Sequence, residues 1–525
     1  MDRHFRLDQT NTLSFADLPT VDKGEEFLGP YAETERGAYV LSLEKALELA
    51  VRFSRAYQTS KEQLYLSGLA LSLARHQFAP LFSGNGGTGV AGRTEQATTQ
   101  FVPDPNDPSQ LIPVLSDNLV EQDSVSANGS IRVDWLLRDL GRISAALTVD
   151  FSRFITGDPR KYVSSRLAGT FTRPLLRNAG FKQEIESLTQ AERNLLYALR
   201  TFTLYRKEFT VQIASAYYGV LGSRDTVRNS YQNLQNSRQM GNRTRALAEE
   251  GRYKQADLGR METQVLTAES TWTSAIRNYR SVLDNFKLTL GASTDARLVL
   301  EDRELAQLTI LHPQISAEDA CKVALAARLD YQSARDQVAD AGRKVKLAAD
   351  GLKMQADFVA GAGINNNQAD TTGVPIPQLD RYNWNAGLNL DPALDRKPQR
   401  NVYRSALITQ AQAGLSQAQL EDQIKLEVRD NWRALEQAKR NYEISETSVK
   451  TAERRVEEQN LLAELGRASA LDQVDAQNSL VEALNQRTQA LVGHTIARLR
   501  FWNSMGILYV KENGQWQEGP NGIGK

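Results

Sequence analysis

Two hydrophobic periods alternate along this chain. In one, Leu188, Ala191, Leu195, Ala198, Phe202, Tyr205 and Phe209 follow alternating steps of three and four, a coiled-coil seam. Tyr442, Val449, Val456 and Ala463 recur every seven residues in the same way. In the other period, Ile143, Ala145, Leu147, Val149 and Phe151 alternate with Ser144, Ala146, Thr148, Asp150 and Ser152. Residues 163–172 alternate similarly, 358–364 more weakly. Tyr382, Trp384, Ala386, Leu388 and Leu390 interleave with Asn383, Asn385, Gly387, Asn389 and Asp391. The first pattern predicts long helices, the earliest over 176–249 and on the order of 110 Å in length. The second predicts strands of about ten residues. That length crosses a bilayer, and it equally suits a two-faced sheet of a soluble protein.

Proline placement agrees with this division. The prolines fall at 19 and 30, between 80 and 174, at 313, between 375 and 398, and at 520. Because proline costs about 3 kcal/mol in a helix interior, the proline-free stretches 31–79, 175–312, 314–374 and 399–519 read as helical. The interruptions are where the strands are expected.

The chain repeats itself. Ser42-Leu-Glu-Lys-Ala-Leu with Tyr57-Gln58 matches Ser316-Ala-Glu-Asp-Ala-Cys with Tyr331-Gln332 at a shift of 274 residues. Leu247-Ala-Glu-Glu-Gly-Arg252 matches Leu462-Ala-Glu-Leu-Gly-Arg467 at a shift of 215, a register that continues to Leu290-Gly291 and Met505-Gly506. Each copy reads helix, strands, long helix, tight turn, returning helix. The predicted division is an extended N-terminal segment (1–40), a first repeat (41–294, strands about 80–174), a second repeat (295–510, strands about 355–391) and a flexible tail (511–525). The helix near 42–79 and the returning helix near 253–290, stacked end to end, are expected to flank the long one.

Composition narrows the classes. Length alone suggests roughly two to five domains, a prior that the repeat overrules. The 525 residues carry 63 Lys+Arg against 63 Asp+Glu, so the electrostatic footprint of a nucleic-acid binder is missing. A hydrophobic share of 41% with a mean hydropathy of −0.46 leaves little for a thick core. No run approaches the roughly 18–20 apolar residues of a membrane-spanning helix. The lone Cys321 forms no internal disulfide. The start at Met1-Asp2-Arg3-His4-Phe5 lacks an apolar leader core, which reads either as a cytoplasmic protein or as a chain trimmed of its leader.

The repeated helix–strand–helix hairpin resembles the TolC family of outer-membrane efflux proteins over about residues 40–510. The residues that carry the resemblance are Leu41-Ser-Leu-Glu-Lys-Ala-Leu47, Arg173-Pro-Leu-Leu-Arg177, Leu290-Gly291 and Gly466-Arg-Ala-Ser-Ala-Leu-Asp472-Gln-Val-Asp475-Ala. It implies a mainly α chain with a small β part, whose duplicated helical hairpins form an α-barrel. Its strands then contribute to a trimeric transmembrane β-barrel in outer-membrane lipid. The implied partners are two further copies of the chain, a periplasmic adaptor protein and an inner-membrane pump, and the implied job is passive export. The sequence departs from the family in offering up to four strand-like runs in the first repeat, adding residues 131–135, where two are needed. The extra pair is read as an outer loop hairpin rather than as further barrel strands. The missing leader then reads as trimming.

Candidate sites follow. Asp472 and Asp475 lie one helical turn apart, and under the resemblance six such carboxylates ring the narrow end of the duct as a cation-selective gate. The alternative is a solvated acidic face at a helix start. Asp257, the counterpart of Asp472, has Arg260 where the second acid would be. Gly251, Arg252, Leu465, Gly466 and Arg467 form the two hairpin tips, where the family docks its adaptor. Ordinary turn chemistry explains them as well. Tyr382 and Trp384 fit an aromatic girdle at the bilayer interface, or a packed soluble sheet. Gly84-Asn-Gly86-Gly-Thr-Gly89 fits a dinucleotide fingerprint but follows a helix and leads into a predicted loop, so it is rejected. Gly519-Pro-Asn-Gly-Ile-Gly524-Lys525 lacks the Ser/Thr and helix of a phosphate loop. His4, His76, His312 and His494 are scattered singly, and only five methionines are present for a copper path. No enzyme chemistry, cofactor or metal is expected. The reading is an outer-membrane exit duct of a tripartite efflux or type I secretion system, with a soluble coiled-coil scaffold as the alternative.

Overall fold

The computed structural model describes residues 15, 18–96, 100–104, 107–114, 119–156, 161–250, 255–366, 376–392, 394–465 and 467–518. After a 3-10 turn at Glu26–Tyr31 come α1 (Ala32–Glu35), β1 (Tyr39–Leu41), α2 (Leu43–Phe53) and α3 (Arg55–His76). Six strands follow: β2 (Leu81–Gln96), β3 (Gln100–Asp104), β4 (Asp107–Val114), β5 (Leu119–Leu137), β6 (Gly141–Phe154) and β7 (Lys161–Pro174). The first repeat closes with α4 (Lys182–Glu249), α5 (Gln255–Leu290), β8 (Leu298–Leu300) and α6 (Arg303–Ala306). The second comprises α7 (Ala317–Ala327), α8 (Leu329–Asp350), β9 (Gln355–Asn365), β10 (Gln378–Asp391), α9 (Lys397–Glu464) and α10 (Ala470–Ser504). A hairpin of β11 (Leu508–Val510) and β12 (Trp516–Glu518) ends the described chain.

The duplication holds end for end. A shift of 274 carries α2 and α3 onto α7 and α8, and a shift of 215 carries α4 onto α9, each 68 residues and about 100 Å long. The local chemistry repeats too. Ser42 caps α2 by accepting from the Lys45 amide, and Ser316 caps α7 through Asp319. The expected single helix over 42–79 is broken at Ser54, and its counterpart at Arg328, both in extended conformation. No proline marks the break. Instead the Gln58 side chain donates to the carbonyls of Val51 and Arg52, and Gln332 to that of Ala326, taking up groups the helix end leaves free. Gly291 (φ +84°) and Gly506 (φ +75°) end α5 and α10 beside these breaks. A Cβ on Gly291 would stand 2.2 Å from the Phe53 carbonyl oxygen.

One compact unit comprises residues 1–65, 197–336 and 415–525. Its two apolar clusters are themselves repeats. Ala46, Ala50, Phe209, Ile213, Phe286 and Leu290 are buried in the first, and Ala320, Ala324, Ile424, Val428, Phe501 and Met505 in the second. Cys321 takes the place of Leu47 and serves as a small apolar residue. Residues 18–40 are not simply extended, because Phe27 and Leu28 are buried in the first cluster and the 3-10 turn carries them there. Nor are 511–518 a free tail. Val510 and Trp516 pack on the same cluster, and the Lys511 amide bonds to the Gln515 carbonyl. Residues 519–525 lie outside the described set.

The other unit, 66–196 and 337–414, holds a six-stranded antiparallel sheet of order β10-β9-β7-β6-β5-β2. The first repeat therefore gives this sheet four strands, not two plus a loop hairpin. The Gly84–Gly89 segment lies within β2, paired with residues 126–131, where a loop was expected. Helix α4 starts at Lys182, later than 176. Asn178, Gly180 and Phe181 have positive φ, the Asn178 side chain accepts from the Gln183 amide, and the Asn178 amide donates to Asp350.

Candidate functional site

The register sorts the sheet into two unlike faces. Tyr382, Trp384, Ala386, Leu388 and Leu390 of β10 share a face with Phe358, Ala360, Ala362 and Ile364 of β9. The pairing carries that face through Leu167 and Phe171, Ile143, Leu147 and Phe151, Ile131, Val133 and Trp135, to Phe82 and Val90 of β2. The opposite face holds Asn383, Asn385, Arg166, Thr148, Asp134, Ser130 and Asn85. Polar side chains there bond across strands, Ser144 to Asp134 and Ser130 to Asn85. At the two edge strands the apolar side chains stand exposed, Phe82 at 76%, Trp384 at 73% and Tyr382 at 70%, while in the central strands Leu147, Phe151, Phe171 and Phe358 are half-buried. Tyr382 is the first apolar residue on its face after Asp380, and Leu390 is the last before α9. Tyr382 and Trp384 thus mark the end of the apolar band away from that helix.

At the second helical tip, the Leu465 amide donates to the Leu461 carbonyl, and the Arg467 and Ala468 amides both reach that of Leu462. Ser469 then caps α10 in a reciprocal box with Asp472. Its hydroxyl oxygen accepts from the Asp472 amide, while the carboxylate accepts from the Ser469 amide and hydroxyl. These bonds hold the Asp472 carboxyl below its ordinary range. Ala470 and Val474 turn inward onto Met261, leaving Asp472, Asp475 and Leu471 at the surface. Within one chain Asp472 is thus engaged by Ser469, and Asp475 stands exposed beside it. Leu461, Leu465 and Leu471 add exposed apolar area to the same tip. Gly251, Arg252 and Gly466 lie outside the described residues, as does the side chain of Asp257.

Sequence reasoning missed two polar clusters. The first joins Glu35 to Arg224, 3.1 Å apart and both buried, with Tyr279 donating to the same carboxylate and Asp302 3.4 Å from Arg224. Burial pushes the Glu35 carboxyl up, against the pull of Arg224. No spacing in the sequence links residues so far apart. The second corrects the view of scattered histidines. The His312 and His494 rings lie 5.9 Å apart, and His312 also contacts Glu436 at 2.8 Å. The two histidines are far apart in sequence and meet only through the fold. Among the described residues, no group of three or more His, Cys, Asp or Glu could hold a metal ion.

The chain thus combines a six-stranded sheet that has one apolar face with two duplicated 68-residue helices. No family model and no curated protein matches the chain by sequence. Solved structures do match. The chain is similar to the outer-membrane channel CmeC of Campylobacter jejuni (TM-score 0.62, 12% identity, covering 88% of this chain and 85% of that one). It is similar to the outer-membrane channel OprN (TM-score 0.62, 13% identity, 94% and 96%) and to the open state of the Neisseria gonorrhoeae channel MtrE (TM-score 0.59, 11% identity, 88% of each). The chain has the fold of these outer-membrane channels. Among the described residues, no helix is long and apolar enough to cross a membrane.

Proposed function

We propose that the chain is one of three copies forming an outer-membrane exit duct, with the sheet in lipid and the helices in the periplasm. The observation that carries this reading is the continuous apolar face across all six strands, exposed at Phe82, Val90, Ile131, Leu167, Tyr382, Trp384 and Leu388. In water that face is an association liability; in a bilayer it is the surface lipid requires. Six strands are fewer than the eight of the smallest single-chain barrels, and an open edge is not tolerated in hydrocarbon, so several copies must join. A soluble coiled-coil scaffold would leave Phe82, Trp384 and Leu388 in water. The duct is passive. Energy comes from an inner-membrane pump, reached through a periplasmic adaptor that docks at the hairpin tips (Gly251, Arg252, Leu465, Gly466, Arg467), while Asp472 and Asp475 supply the acidic gate. Tyr382 and Trp384 sit at the lipid–water boundary.

Fractionation of envelopes from cells making the full-length gene product tests this. The protein is expected in the outer-membrane fraction, extracted only by detergent, and to migrate as a trimer unheated and as a monomer after boiling. A monomer that stays in the supernatant without detergent overturns the reading.

A further inference from the structure

Resting on that reading, we infer that every copy contributes all six strands to the barrel wall, and that β2 of one copy pairs with β10 of the next. Three copies of a six-stranded sheet then make a wall of eighteen strands.

Three observations converge. The hairpin of β2 and β5 carries the two-faced pattern in register with the other four strands, placing Phe82, Val90, Val125, Ile131 and Trp135 on the lipid side. An outer loop has no need of such a face. Next, strand directions alternate through an even number of strands, so β2 and β10 run antiparallel to one another. Identical copies joined head to tail therefore continue the same antiparallel ladder. The two edges also match in length, 16 residues in β2 and 14 in β10.

The third observation is a stagger. The last apolar residues toward the hairpin tips are Tyr382 in β10 and Ile364 in β9, which share a row with Leu167. In β7 and β6 they are Val163 and Phe151, four residues further on, and in β5 and β2 the last pair apolar on both strands is Val125 with Val90, two further still, with Leu119 of β5 beyond it opposite Gln96. The band thus climbs six residues over five strand-to-strand steps. With about 3.4 Å per residue and about 4.8 Å between strands, that is a tilt of roughly 40°, within the range of membrane barrels. β2 takes part in this climb as fully as β10. Levelling the band across the seam sets Gly84 and Gly86 against Leu388 and Leu390 of the next copy, small against large, and Val90 against Tyr382 and Trp384.

Disulfide trapping in the membrane-bound protein tests the seam. In a Cys321→Ala background, Asn85→Cys is combined with Gly387→Cys or with Asn389→Cys, all on the polar face. Within one copy these strands are five spacings apart, about 24 Å, so a bond between them joins two copies. Thr148→Cys replaces Asn85→Cys as the control. It shares a row with Asn85 but lies on β6, which would be the edge if β2 and β5 formed an outer loop. Covalent dimers and trimers from the β2–β10 pairs are expected, with none from the β6–β10 pairs. Ladders from β6 and not β2, or no ladder from either in protein that fractionates with the outer membrane, overturn the eighteen-stranded wall while leaving the duct intact. Protein absent from the membrane fraction overturns both.

Discussion

His494 stands where Tyr279 stands in the first repeat, 215 residues earlier, and the two rings meet opposite surroundings. Tyr279 donates to Glu35, and Arg224 completes the cluster. His494 is fully buried, and neither ring nitrogen has a hydrogen-bond partner. Burial first, then Arg498, His312 and Lys439, lowers its pKa to about 4.

The sign of the pH dependence follows. The folded chain binds this proton less readily than the unfolded chain, whose histidine has the ordinary value of 6.5. Stability is full above that value and falls as pH drops from 6.5 toward 4, by on the order of 3 kcal/mol in all. Urea midpoints of the full chain in detergent are expected to fall more between pH 7.5 and pH 5 than those of His494→Tyr. Equal falls would refute the assignment.

The paired glycines give a graded prediction. Gly291→Ala meets both the left-handed backbone and the Phe53 carbonyl oxygen, and should cost about 3 kcal/mol. Gly506→Ala meets first the flexible Arg328 Cγ at 3.1 Å and should cost about 1–2 kcal/mol. The shift in thermal or urea midpoint reads the order directly.

The two faces of β10 are separable by single arginines. On the duct reading Leu388→Arg places a charge in lipid, at a cost of up to about 2–4 kcal/mol depending on depth, whereas Asn389→Arg points to the polar side. The first should sharply reduce the heat-modifiable species in outer membranes, and the second should leave it near the parental level.

The proposed acidic gate is best tested one carboxylate at a time. Asp475→Ala should raise single-channel conductance in planar bilayers and weaken block by multivalent cations. Adding Asp472→Ala should increase both effects but also remove the carboxylate that accepts from the Ser469 amide and hydroxyl, loosening the start of α10. Unchanged conductance and block in the double variant would remove the gate.

The long helices were legible because their side chains keep one period for many turns and the two copies confirm each other at fixed shifts. The break at Ser54 was not, since its only trace is Gln58, a residue that elsewhere sits comfortably in helices. β2 escaped notice for a different reason. Gly84, Gly86, Gly87, Gly89 and Gly92 carry no side chains to alternate, so its two faces appear only once pairing with β5 fixes which residues lie opposite which. The Glu35–Arg224 pair is a contact between distant segments, and no local pattern encodes it. For the second tip the sequence supplied the residues, and the structure added that Asp472 is already bound to Ser469.

The equality of the two 68-residue helices has a corollary for how such chains change over time. All the surplus length of the first repeat sits between α3 and α4, so strands can be added there two at a time without displacing a single residue of either rod. The number of strands in the sheet and the length of the two long helices are then inherited as independent quantities.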